Sequence, residues 1–64
     1  MDQLERATRL GLRVMLVRRG TEYVVVARRL LQKGGGEVLI AYLPMTGEEL
    51  RFGLDDLDAF QVLA

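Results

Sequence analysis

The stretch Glu48-Glu49-Leu50-Arg51-Phe52-Gly53-Leu54 alternates apolar and polar residues with a period of two. Successive side chains of a strand point to opposite faces, so Leu50, Phe52 and Leu54 read as the dry side of a half-buried strand over 48–54. Upstream, Met45-Thr46-Gly47 supplies a turn, and Pro44 ends the preceding strand over 37–43 because it has no N–H to give to a ladder. Gln32-Lys33-Gly34-Gly35-Gly36 reads as a loop, since three glycines in a row hold no regular element cheaply. Before it lie strands over 22–31 and 12–18, rich in β-branched residues and joined at Arg19-Gly20-Thr21, where Gly20 suits the positive φ of a tight hairpin. Downstream, Asp55-Asp56-Leu57 reads as one 3₁₀ turn, and 58–63 as a last strand with Phe60 and Val62 on one side.

The N-terminal segment has a helical pattern over 3–10. Asp2 and Glu5 have capping-box spacing, Met1, Leu4, Ala7, Thr8 and Gly11 share one face, and Gly11 is a natural stop. The reading is a mainly β single domain over 1–64, an N-terminal α-helix followed by a five-stranded antiparallel SH3-like barrel.

Two features of this short chain bear on partners. A polypeptide of 64 residues buries only about 60% of its unfolded surface, and without Cys or His it has no disulfide and few metal ligands to compensate. The three early strands are apolar on both faces, as in Tyr23-Val24-Val25-Val26-Ala27. One face fills the interior and the other needs a cover, part of which the helix supplies. A homo-oligomer is therefore expected. Charge is divided along the chain: residues 1–33 carry eight basic and three acidic side chains, net +5, and residues 34–64 carry one basic and six acidic, net −5. Two readings stand: a basic face for an anionic partner, or charges that face each other across strands or between subunits.

Composition argues against catalysis. With no Ser, Cys or His, the common nucleophile–base pairs cannot be assembled, and no catalytic residue, cofactor or metal is assigned. Asp55, Asp56 and Asp58 lack the length and glycine of a calcium loop and read as turn residues bonding their own backbone. Lys33-Gly34-Gly35-Gly36 lacks the helix of a phosphate loop and reads as a hairpin tip. The candidate nucleic-acid or anion contacts are Arg18, Arg19, Arg28, Arg29 and Lys33, with Tyr23 and Tyr42 as added π-faces. No apolar run nears the roughly 18 residues of a membrane span, so no membrane partner and a cytoplasmic location are expected. Arg outnumbers Lys eight to one, which resembles a GC-rich bacterial genome.

The segments Glu37-Val38-Leu39-Ile40-Ala41-Tyr42, Thr46-Gly47-Glu48 and Phe52-Gly53-Leu54-Asp55-Asp56-Leu57 resemble the WYL domain. Leu39, Phe52, Leu54, Asp55 and Leu57 carry over, whereas Glu37 and Val38 stand where that family has Trp and Tyr, Asp56 where it has Arg, and Leu50 where it often has Arg. The resemblance implies an Sm-like barrel serving as an interaction or regulatory module. The element order is also similar to Sm-like RNA-binding proteins, with Gly20 at a matching position, which implies RNA or single-stranded DNA binding as the alternative. The RNA-contacting Asn of those proteins has no counterpart here, because the chain contains no Asn.

Overall fold

A computed structural model describes residues 3–63. The elements follow in the order α1 (Gln3–Leu10), β1 (Arg13–Arg18), β2 (Thr21–Lys33), β3 (Gly36–Tyr42), β4 (Glu49–Gly53), a 3₁₀ turn (Leu54–Asp56) and β5 (Ala59–Val62). The strands form one antiparallel sheet in the order β4-β3-β2-β1-β5. The mainly β reading with its leading helix holds. Barrel closure does not, because β4 and β5 are the two ends of the strand order and remain edges.

Each element ends for a local reason. Gly11 takes φ 66° at the end of α1, and the Leu12 N–H donates to the Ala7 carbonyl at 2.9 Å, the 6→1 bond of a Schellman cap. The predicted partner of Glu5 in a capping box, Asp2, lies outside the described residues, as does Met1. Arg18 pairs with Thr21, leaving a two-residue hairpin in which both Arg19 (φ 51°) and Gly20 (φ 78°) are left-handed. That combination matches the twist of the strands and suits Asn-Gly best. A non-glycine residue held there costs on the order of 1 kcal/mol. Arg19→Asn is accordingly expected to raise the thermal midpoint by a few degrees, read by circular dichroism.

Pairing of β2 with β3 continues to Lys33 and Gly36, so the expected five-residue glycine loop shrinks to Gly34 and Gly35. In the next connection the Gly47 N–H donates to the Leu43 carbonyl at 2.7 Å and the Leu43 N–H to the Glu48 carbonyl at 2.9 Å. The 3₁₀ turn starts from Gly53 and has no side-chain cap hydrogen bond. The carboxylates of Asp55 and Asp56 lie where side chains at Gly36 and Gly53 would begin, 3.3 and 3.5 Å from an added Cβ.

The decisive irregularity is in β2. Ala27 pairs with Ala41 and Arg29 with Ile40, so Arg28 is an extra residue in the ladder. Such a bulge bends the strand and exchanges the faces of everything after it. Before it, Tyr23, Val25 and Ala27 point inward; after it, Leu30 points inward opposite Leu39, and Arg29, Leu31 and Lys33 point outward. A regular strand would have driven Arg29 into the core and Leu30 into water.

The core lies on the inner face: Val14 and Leu16 from β1, Val25 and Ala27 from β2, Leu39 and Ala41 from β3, and Phe52 from β4. Leu4 and Ala7 of α1 belong to the same cluster. The helix therefore covers the inner face and does not screen the outer one, contrary to expectation. Phe60, which shares a side with Val62 as the sequence reads, is nevertheless 44% exposed although it stands opposite Leu16. It sits on the edge strand β5, with no strand beyond it to close the sheet against β4.

Candidate functional site

Arg18 occupies the inner-face parity of β1, following Val14 and Leu16. Its guanidinium carbon stands 5.5 Å from the Tyr23 ring centre and 5.1 Å from that of Phe52, while the two rings meet edge to face at 5.4 Å. The side chain is half-buried and roofs the mouth of the core, a cation–π arrangement in which the aliphatic stem also excludes water. Beside it an open cleft of about 390 Å³ is lined by Arg18, Arg19, Thr21, Tyr23 and Asp56. Asp56 gives this cleft a carboxylate that repels anions.

Arg28 lies at the opposite end of the β1–β2 ladder. It is seven residues from Thr21, or roughly 20 Å along the strand. Its guanidinium stands 5.8 Å from the Tyr42 ring centre. The bulge places it beside a broad, open cleft of about 770 Å³, lined by Thr8, Arg9, Leu10, Gly11, Val26, Ala27, Arg28, Tyr42 and Gly47. Val26, which borders this cleft, has Arg13 opposite it on β1 and Tyr42 opposite it on β3. Among the described residues no carboxylate lines the cleft. Arg29 and Lys33 belong to a third place: Arg29, Ile40 and Arg51 form one row across β2, β3 and β4 on the outer face, and Lys33 joins Arg51 in a small cleft of about 280 Å³ with Leu31, Val38, Ile40 and Gly53.

The five candidate contacts thus fall into three separate places, at the β1–β2 hairpin, at the bulge of β2 and on the outer face toward β4, rather than into one groove. Arg9 and Arg51 join two of those places although no sequence reading selected them. Arg9 falls on the polar side of the helical pattern, and only the turn at Gly11 brings it toward Arg28; the pattern holds no signal for that approach. The expectation that opposite charges face each other across strands also fails. Every charged strand residue in the register stands opposite an uncharged one, such as Arg13 opposite Val26, Arg51 opposite Ile40 and Glu49 opposite Tyr42.

The outer face is mixed, with Arg13, Glu22, Arg29, Lys33, Glu49 and Arg51 flanking apolar rows. Rows of Met15 with Val24, Val26 with Tyr42, and Leu31 with Val38 cross it, and Val24 is 45% exposed. Among the described residues no three His, Cys, Asp or Glu side chains come together to hold a metal ion, and no helix is long and apolar enough to cross a membrane.

No family model, curated protein or solved structure matches the chain. The functional reading therefore rests on the geometry of the sheet and its arginines.

Proposed function

We propose that the protein is a non-enzymatic interaction module of WYL-like type that works as a homo-oligomer. The observation that carries this is the outer face of the sheet, where Met15, Val17, Val24 and Val26 form a contiguous apolar surface that the helix does not cover. Apolar patches of this kind mark association surfaces. The same sheet ends in two open edges, β4 and β5, each with ladder groups free to pair with another strand. The edge strand β5 also carries the exposed Phe60, on the inner face opposite Leu16, a second apolar side chain beside an unpaired edge. A non-catalytic role is supported by the composition, which offers no Ser, Cys or His.

Light scattering across a hundredfold dilution tests the reading. A mass of at least twice 7.2 kDa is expected at high concentration, falling as the sample is diluted. Val24→Glu places a charge in the middle of the apolar rows at an already exposed position, and is expected to yield a folded monomer. A wild-type protein that stays at monomer mass at millimolar concentration would sink the proposal.

A further inference from the structure

We propose that the cleft between the C-terminal end of α1 and the bulge of β2 is a binding site for a phosphate group, held between Arg9 and Arg28. Three observations carry this, and none of them depends on the oligomeric reading. The first is the cleft itself, a broad and open one of about 770 Å³, wide enough to admit a phosphate group from solvent. The second is its chemistry. Two arginines, one from a helix and one from a strand, line the same space, and among the described residues the lining contains no carboxylate. Guanidinium forks match the oxygens of a phosphate in paired, charge-assisted hydrogen bonds.

The third observation concerns how Arg28 is held. It is the extra residue of a β-bulge, a device that re-aims a side chain, and its guanidinium lies over the Tyr42 ring at 5.8 Å. Stacking restricts the side chain before any ligand arrives, which lowers the ordering cost of binding. The bulge is itself tied down, because the Ala27 N–H donates to the Leu12 carbonyl at 3.0 Å, just beyond the Gly11 turn. One hydrogen bond thus fixes the helix end that carries Arg9 against the strand that carries Arg28. The hydroxyl of Thr8 also lines the cleft and already donates to the Glu5 carbonyl at 2.8 Å, leaving its oxygen lone pairs rather than its proton free. Recognition therefore falls to the arginines.

The Arg18–Arg19 cleft is a natural internal control. It has as many arginines, but Asp56 lines it and Arg18 is committed to the Tyr23 and Phe52 rings. A phosphate is expected to prefer the Arg9–Arg28 cleft.

The test titrates the full chain with two probes at low salt: inorganic pyrophosphate followed by amide NMR shifts, and a fluorescein-labelled ten-nucleotide oligouridylate followed by anisotropy. Shifts from pyrophosphate are expected at residues 9–12, 26–28, 42 and 47. The double variant Arg9→Gln, Arg28→Gln should lose about 10- to 100-fold in affinity, while Arg18→Gln, Arg19→Gln stays within about twofold. Arg28→Lys keeps the charge but loses the fork, and is expected to fall between them. Thermal unfolding of each variant separates lost binding from lost fold. If the oligonucleotide binds at least tenfold more tightly than pyrophosphate and loses that advantage as salt rises, the phosphate is that of a nucleic-acid backbone; if pyrophosphate binds as well or better, it is that of a small free ligand. Absence of binding by both probes at millimolar concentration would overturn the proposal, as would shifts centred on Arg18 and Arg19 or full affinity in the Arg9, Arg28 variant.

Discussion

Phe52→Ala is expected to unfold most of the protein at room temperature. Phe52 is the largest side chain of the core and only 1% exposed. It projects from β4 opposite Leu39, meets the Tyr23 ring edge to face at 5.4 Å and lies under the Arg18 guanidinium. Truncating a buried Phe removes its transfer free energy and leaves a cavity, together about 3–5 kcal/mol. Arg18 and Tyr23 are left above that cavity with no ring to rest on. A 64-residue domain has on the order of 3–10 kcal/mol to lose, so the substitution removes much or all of it. Urea unfolding followed by far-ultraviolet circular dichroism reads this directly. A midpoint within about 1 kcal/mol of wild type would mean that the β4 side of the sheet contributes little to the core.

Leu4→Ala has a comparable local cost and a different outcome. Leu4 is 2% exposed and, with Ala7, forms the whole buried surface of α1. An eight-residue helix is too short to persist on its own in water. Its existence depends on docking, and removing Leu4 withdraws about 2–5 kcal/mol from that docking. The loss is capped, because once the helix has detached nothing more remains to be lost from it. The expected result is a protein whose α1 amides exchange freely while those of β1, β2 and β3 keep their protection. The inner face uncovered by detachment should then bind a hydrophobic dye. Uniform loss of protection across helix and sheet would show instead that the sheet cannot stand without α1.

The two variants separate two halves of one core. Phe52 acts through contacts between strands remote in sequence, and Leu4 through a single local element laid on the finished sheet. The same contrast explains why the sequence was readable in some places and silent in others. The alternation of Leu50, Phe52 and Leu54 is a property of neighbours, and it appears as β4 over Glu49–Gly53. Gly11 and Gly20 announced turns because positive φ is costly for residues with a Cβ, and both turns are present. Phe60 has the same local pattern as Phe52, yet 44% of it remains exposed; its burial depended on whether β4 meets β5, which no neighbour of Phe60 encodes.

Amino-acid order by itself determined the helix, the five strands and their turns, because each depends on residues within a few positions of one another. Tertiary structure alone decided where the charges meet. The run Arg28-Arg29-Leu30-Leu31 fits neither alternation of a strand, and only pairing with β3 resolves it, by looping out Arg28 so that Leu30 turns inward and Arg29 outward. That one extra residue sends Arg28 toward Arg9 and Arg29 toward Arg51, separating side chains adjacent in sequence and joining others 19 and 22 positions apart. The physical reason is that burying Leu30 and keeping Arg29 hydrated outweighs one interrupted ladder position, a balance that exists only once a partner strand and a core are in place.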